Sequence, residues 1–338
     1  MADLWIAEHS ALGVEVVVKV LASETAKEAT ATRRIVREAM VTRKVQCPHV
    51  VRVFEHGLVA KHGVPFLVLE LLRGEDLSTR IDREWRLSVC ETRTIVEHVA
   101  LALEAAHRVG VIHRDVKPAN VFLAQSPHGM VAKLVDFGIA KDISEPRSDL
   151  TRPDAVMGTP PFMSPEQVVS PRDVDSRCDL WSLAALAYMC LTGKLPFDGL
   201  SFGAICIAIH LGYFEPPSSE RPELGASVDA FFARALSPSI DRRYQSARSL
   251  FEAFREATWL IADDDTSDDP CPTFEPEESL HTATTLLVLE GLDDLRDTSS
   301  QVTKVADHVP FELARPASGV RSRPTGRDMR VIASRGRR

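Results

Sequence analysis

The sequence predicts an α+β chain in which strands gather early and helices dominate the later part. Two valine- and leucine-rich runs before residue 73 and two long stretches of helical periodicity after residue 87 carry that prediction. Residues 15–21 are nearly all valine or leucine apart from Lys19, and residues 64–72 form a second apolar run; both read as buried strands. Between them, residues 25–45 place charges at helical spacing, lack Gly and Pro, and meet Pro48, which predicts a helix ending near Gln46. Residues 88–108 put Val96, Val99, Ala100, Leu103 and Ala106 on related turns, with Gly110 just beyond as a C-terminal cap. Short strands flanking loops come next. Residues 179–191 are apolar on nearly every face, as in a helix buried all round, and Gly193 and Pro196 stop it. Further helices run to about Ala262, and no internal repeat is visible.

Composition narrows the class. The chain has 338 residues, 44% of them hydrophobic, enough for one large two-lobed domain and a tail. A net charge of -8 argues against nucleic acid as a partner, because phosphate-backbone binding needs excess Lys and Arg. The six cysteines (Cys47, Cys90, Cys178, Cys190, Cys206 and Cys271) are scattered without any CxxC pair, so neither a zinc site nor a disulfide framework is indicated and a reducing cytoplasm fits. The first ten residues carry Asp3 and Glu8 and cannot act as a signal peptide. The longest apolar stretch, 183–191, is too short for a membrane span, which takes about 20 residues. Residues 263–278 hold eight Asp and Glu interleaved with three prolines, and residues 315–338 hold eight arginines; both read as disordered, solvated tail. A short apolar patch at 285–292 reads as a strand or a docking segment.

The chemistry concentrates in His113-Arg114-Asp115-Val116-Lys117-Pro118-Ala119-Asn120 and in Asp136-Phe137-Gly138. Asp115 and Asn120 share a Pro-containing loop, and Asp136 ends a short strand, so three polar side chains can meet at one site. Carboxylate and amide oxygens suit a hard cation such as Mg²⁺. Phosphoryl transfer asks the protein mainly to orient the nucleophile, hold the triphosphate and neutralise charge on the moving group. Each Asp taken alone would most often be a turn former or helix cap; the whole run with Asp-Phe-Gly at this spacing is far more specific.

These motifs make the chain resemble a bacterial, eukaryotic-like (Hanks-type) serine/threonine protein kinase. The resemblance implies the two-lobed protein-kinase fold, with a small mostly-β lobe at about 1–72, a larger mostly-α lobe at about 73–260 and a 261–338 tail. It implies that Asp115 accepts or orients the substrate hydroxyl proton, that Lys117 steadies the γ-phosphate, and that Asn120 and Asp136 hold Mg²⁺, with Mn²⁺ as the alternative metal. Val16-Val17-Val18-Lys19 resembles the strand whose lysine contacts the α- and β-phosphates, and Glu38, one helical turn from Ile35, is its candidate ion-pair partner. Residues 66–77 resemble the fifth strand and hinge, with Leu69 as gatekeeper, Glu70 and Leu72 offering backbone groups to adenine, and Asp76 near the ribose. Phe122 and Val17 would floor and cover the adenine. Without their context, Lys19 would read as a snorkelling strand lysine and Glu38 as a solvated helix residue; their order and distance from Asp115 shift the balance.

Downstream, the run from Gly158 to Glu166 resembles the end of a kinase activation segment. The resemblance pairs Glu166 with Arg243 as a structural salt bridge and makes Asp179 the anchor of the catalytic-loop backbone, where the plain alternative is a helix N-cap. It bonds Thr159 to the catalytic aspartate. Arg114, just before Asp115, marks kinases often switched on by activation-loop phosphorylation, with Thr151 the first candidate and Ser148 the second.

The resemblance covers roughly residues 2–257, and the glycine-rich loop that caps the ATP phosphates is missing from it. Similar bacterial kinases carry Met-Ala-Glu-Val-Trp just after that loop, where this chain begins Met-Ala-Asp-Leu-Trp, so Met1 reads as an internal methionine with the true start upstream. If the start stands, the small lobe lacks its first strand. Two functions are open: an ATP-dependent kinase acting on Ser and Thr of proteins, itself included, or a truncated, inactive kinase serving as a binding module. A small-molecule kinase is a remote third.

Overall fold

The computed structural model describes residues 2–9, 12–21, 42–59, 64–127, 129–136, 160–170 and 174–261. The described residues up to 43, together with those of 51–73, form one compact unit, and 44–50 with those from 74 onward form a second. The helix expected over 25–45 falls outside the described residues except at 42–45, as does the tail beyond 261.

The first unit is an antiparallel sheet of four strands among the described residues: β1 (Ala2–His9), β2 (Val14–Leu21), β3 (Val53–Val59) and β4 (Val64–Glu70), in the order β1-β2-β4-β3. Period-two alternation sends Val16, Val18 and Val20 into a core with Ala7, Val53, Phe66 and Val68. Val17 and Lys19 therefore share the opposite face of β2. The register puts Lys19 between Leu4 of β1 and Leu67 of β4. The turn from β1 to β2 closes through Leu12 and Gly13 N–H groups donating to the His9 carbonyl at 3.0 and 2.7 Å, with Gly13 at φ +62°. The sequence pattern by itself does not mark β1.

The second unit begins with a three-stranded sheet, β5 (Gly74–Asp76), β6 (Val121–Ser126) and β7 (Gly129–Leu134), in that order. Gly74 is required: at φ +147°, a Cβ would lie 2.0 Å from the Leu123 carbonyl oxygen. Helix α1 (Leu77–Glu84) succeeds β5, and α2 (Val89–Arg108) starts where the Ser88 hydroxyl accepts the Glu91 N–H at 3.0 Å. Two buried histidines take the backbone groups on the outer side of β7. His49 Nδ1 donates to the Ala132 carbonyl at 3.2 Å, His98 Nδ1 accepts the Ala132 N–H at 3.1 Å, and the rings stack 4.1 Å apart. Burial, with His49 beside it, pushes the pKa of His98 down to about 3.

The remaining α-helices among the described residues are α3 (Pro165–Val169), α4 (Arg177–Thr192), α5 (Phe202–Leu211), α6 (Pro217–Glu220), α7 (Gly225–Ala235) and α8 (Ala247–Thr258). Helix α4 is buried along all of its length but Arg177 and Met189, which accounts for its apolar residues on every face. Trp181 stacks on Phe197 at 5.2 Å and Tyr188 meets Phe232 edge-on at 5.5 Å. Gly193 ends the helix in the left-handed conformation, φ +72°, where a Cβ would come within 2.5 Å of the Trp85 carbonyl oxygen. Helix α8 lies along α2, where Arg93 Nη2 donates to the Thr258 carbonyl at 2.8 Å. Among the described residues, no helix is long and apolar enough to cross a membrane.

Candidate active site

The site of the second unit rests on one buried carboxylate. Asp179 lies in the first turn of α4 and is fully buried. Its Oδ1 accepts the Arg114 N–H at 2.7 Å, and its Oδ2 accepts the His113 N–H at 2.9 Å. His107, from the last turn of α2, also reaches Oδ2 at 2.8 Å and must donate there through Nε2, since an ionised carboxylate only accepts. Three donors from two elements thus converge on Asp179, and the backbone entering Asp115 is pinned.

His113 adds a second tie. It is fully buried; its Nε2 donates to the Val135 carbonyl at 3.2 Å, and its Nδ1 accepts the Asp115 N–H at 3.2 Å. One nitrogen donating and the other accepting describes a neutral ring, and burial lowers its pKa accordingly. The imidazole therefore joins the backbone of Asp115 to the residue just before Asp136.

Around Asp115 the side chains converge. Lys117 Nζ lies 2.8 Å from Asp115 Oδ2. Asn120 closes the 3₁₀ turn Pro118–Asn120, and its Nδ2 donates to the Asp115 carbonyl at 2.8 Å and to Oδ2 at 3.1 Å. Both partners are acceptors, so the amide nitrogen must face them and the amide oxygen is the atom left to meet a cation. Asp136 is exposed, two residues past β7, with φ +52°, an uncommon conformation that Asp tolerates better than most residues. The β6–β7 register, Val121 opposite Leu134, sets Asn120 beside Val135, whose N–H donates to the Asn120 carbonyl at 2.9 Å. An amide oxygen and a carboxylate form an all-oxygen donor pair. That pair fits Mg²⁺ or Mn²⁺, hard cations held by few protein ligands alongside substrate phosphates.

The other candidates divide between the units. Val17, Lys19, Glu70 and Leu72 belong to the first. Val17 is buried and Lys19 half-buried on the same face of β2. The Glu70 N–H donates to the Arg52 carbonyl at 3.0 Å. Asp76 and Phe122 belong to the second unit and pair directly across β5 and β6. Asp76 caps α1, accepting the Thr79 N–H and hydroxyl at 2.9 Å each. Glu166 and Arg243 form a two-pronged ion pair at 2.8 and 2.9 Å. Glu38, Ser148, Thr151, Thr159, Phe137 and Gly138 lie outside the described residues. His107 and Gln167 join the site without having been singled out by the sequence, and so does His113 in its role, since it opens the run to Asn120 but has no part assigned from it; Gln167 Nε2 donates to the Arg114 carbonyl at 3.0 Å. Nothing in a single sequence links a glutamine to a backbone carbonyl 53 positions away.

Comparison with known proteins adds ancestry to this geometry. Residues 5–247 match the family model described as protein kinase domain. The serine/threonine-protein kinase PknH of Mycobacterium bovis is 35% identical over 257 residues, covering 76% of this chain and 42% of the relative. Pkn1 of Myxococcus xanthus, also a serine/threonine-protein kinase, is 34% identical over 258 residues, covering 76% of this chain and 36% of the relative. This chain thus spans about two fifths of the length of such relatives. The crystal structure of the Mycobacterium tuberculosis PknI kinase domain superposes with a TM-score of 0.58 at 28% identity, over 76% of this chain and 91% of that one.

Proposed function

We propose that this chain, which belongs to the protein kinase domain family, transfers the γ-phosphate of ATP to serine and threonine hydroxyls of proteins, its own among them. The observation that carries the reading is the convergence of Lys117 and Asn120 on the Asp115 carboxylate, over a backbone anchored by Asp179.

The residues divide the work of an in-line transfer. The Asp115 carboxylate orients the acceptor hydroxyl and takes its proton as the oxygen bonds to the γ-phosphorus. The bond to the bridging oxygen breaks, and ADP leaves with the electron pair. Lys117, 2.8 Å from Asp115 Oδ2, carries a positive charge beside the carboxylate, where it can also meet the γ-phosphate and counter its growing charge. Asn120 steadies Asp115 through its nitrogen, and its amide oxygen together with the Asp136 carboxylate would hold the metal. When bound, Mg²⁺ or Mn²⁺ neutralises phosphate charge and fixes the oxygens in line. The family resemblance assigns Lys19, with Glu38, to the α- and β-phosphates, Val17, Phe122, Glu70 and Leu72 to adenine, and Asp76 to the ribose. Thr151, then Ser148, is the candidate phosphorylation switch read together with Arg114, and Thr159 is the residue assigned to steady Asp115. The acidic chain acts on proteins in the cytoplasm and has no nucleic-acid partner.

Radiolabelled phosphate transfer from ATP and Mg²⁺ to the chain and to a generic Ser/Thr substrate tests the reading, with Asp136→Asn as the control. Labelling that disappears in the variant supports it. Absence of both labelling and ATP binding would replace it with the binding-module reading.

A further inference from the structure

The second peptide unit of the catalytic loop is gripped at both ends, and one grip comes from a residue with no assigned part in the reaction. The carbonyl of Arg114 and the N–H of Asp115 belong to one peptide plane. The N–H donates to His113 Nδ1 at 3.2 Å, and the carbonyl accepts from Gln167 Nε2 at 3.0 Å. Arg114 itself has φ +64°, a conformation a non-glycine residue keeps only when its surroundings impose it. Asp179 imposes the amide side through Arg114 N.

Gln167 also closes the cap of α3. The Ser164 hydroxyl accepts the Gln167 N–H at 3.4 Å, while Gln167 Oε1 accepts the Ser164 N–H at 3.1 Å and lies 3.3 Å from the Ser164 hydroxyl. In this reciprocal cap glutamate serves as well as glutamine, and a negative charge in the first helical turn is favoured by the helix dipole. The cap alone gives no reason for an amide. Only an amide can accept with one end and donate to a carbonyl with the other. The second bond, to Arg114, is what requires glutamine.

We propose that Gln167 is a positioning residue for Asp115: it sets the peptide plane from which the aspartate projects and couples that plane to the segment Pro160–Val169. A rotation of this plane would swing the carboxylate away from Lys117 and Asn120. The proposal rests on the phosphotransfer reading for its kinetic consequence but not for its geometry.

Gln167→Glu separates the two duties, because it keeps the cap and replaces the donor to Arg114 with an acceptor. In the full chain we expect kcat to fall about tenfold, KM for ATP to stay within about twofold, and Tm to stay close to wild type. Amide hydrogen exchange at Asp115 should quicken about tenfold while amides in α4 keep their protection. Unchanged kcat and unchanged exchange at Asp115 overturn the proposal. So does a fall in kcat accompanied by faster exchange throughout α4, since the role would then be general stability. Should the wild-type chain transfer no phosphate while exchange at Asp115 still responds, the kinase reading fails and the positioning stands; no response in either measurement removes both.

Discussion

Replacing one member of the Glu166–Arg243 pair should cost more when the glutamate is removed than when the arginine is. Arg243 is 1% exposed, and its guanidinium donates to Glu166 Oε1 and Oε2, to the Ser237 carbonyl at 2.7 Å and to the Pro238 carbonyl at 3.2 Å, with its face 4.7 Å from the Trp181 ring. Breaking a buried pair from one side costs about 3–5 kcal/mol, because the partner left behind is an uncompensated charge. The Glu166 side chain keeps 20% of its exposure and can recover some water, whereas Arg243 cannot. Glu166→Ala should therefore fall near the upper figure, about 4 kcal/mol, and Arg243→Met near the lower, about 3 kcal/mol. At roughly 2–4 °C per kcal/mol for a unit of this size, the expected drops in Tm are about 8–16 °C and 6–12 °C. Thermal unfolding measures these drops, urea unfolding followed through the fluorescence of buried Trp181 measures the free energies, and the double variant closes the cycle. It should cost at least about 2 kcal/mol less than the sum of the singles. Strict additivity, or Arg243→Met costing under about 1 kcal/mol, refutes the claim that this pair bonds as a desolvated unit.

Asp115→Asn should lower phosphate transfer by about 10²–10⁴-fold with unfolding unchanged; a fall below tenfold in a steady-state assay would remove Asp115 as the proton acceptor. Chelating divalent metal should abolish transfer and added Mg²⁺ or Mn²⁺ should restore it, whereas Asp136→Asn should not recover at any metal concentration. The pKa of His98 is depressed in the fold to about 3, against an ordinary 6.5, by burial and then by His49. The unfolded chain therefore binds the extra proton first, and stability is lost as pH falls below about 6.5, by about 2 kcal/mol between pH 7 and pH 5. In His98→Asn the amide oxygen can take the Ala132 N–H without titrating, so urea midpoints measured across that range should slope less than in wild type; equal slopes would rule His98 out. Burial raises the thiol pKa of Cys178 and Cys190, so both should resist alkylation at pH 8 until the chain unfolds, as mass spectrometry of labelled peptides would show.

How legible each element is in the sequence depends on the range over which its signal acts. The helix over 88–108 and the one over 179–191 show themselves because apolar spacing and full burial are written locally, and α2 and α4 begin and end within two residues of those limits. The strands around Val16 and Val68 are legible for the same reason. Strand β1 is not: it is an edge in which Asp3 and Glu8 interrupt the apolar residues, and among its described side chains only Ala7 and His9 are buried. In the site, Asp115, Lys117 and Asn120 meet because six residues of chain bring them together, so spacing is enough to group them. The ties of His107, His113 and Gln167 run to atoms up to 72 residues distant, two of the three to backbone carbonyls. A backbone carbonyl has no side-chain identity to read, and so leaves no mark on the pattern of residue types. Asp76, read for a ribose, also caps α1 with both of its carboxylate oxygens.

The β6–β7 hairpin acts as a caliper. Asn120 stands immediately before one arm and Asp136 two residues beyond the other, so the gap between the two residues proposed to hold the metal is set by the ladder from Val121–Leu134 to Ser126–Gly129. A slip of one residue in that ladder would carry Asp136 about 3.3 Å along the strand and reverse the faces of every side chain on β7. The hinge of the caliper, by contrast, is the turn between Ser126 and Gly129, at the far end from the jaws. Residues added or removed at that turn leave the jaws untouched, so tolerance to change in length should be greatest there and should vanish within the few residues that lead back to Asn120 and Asp136.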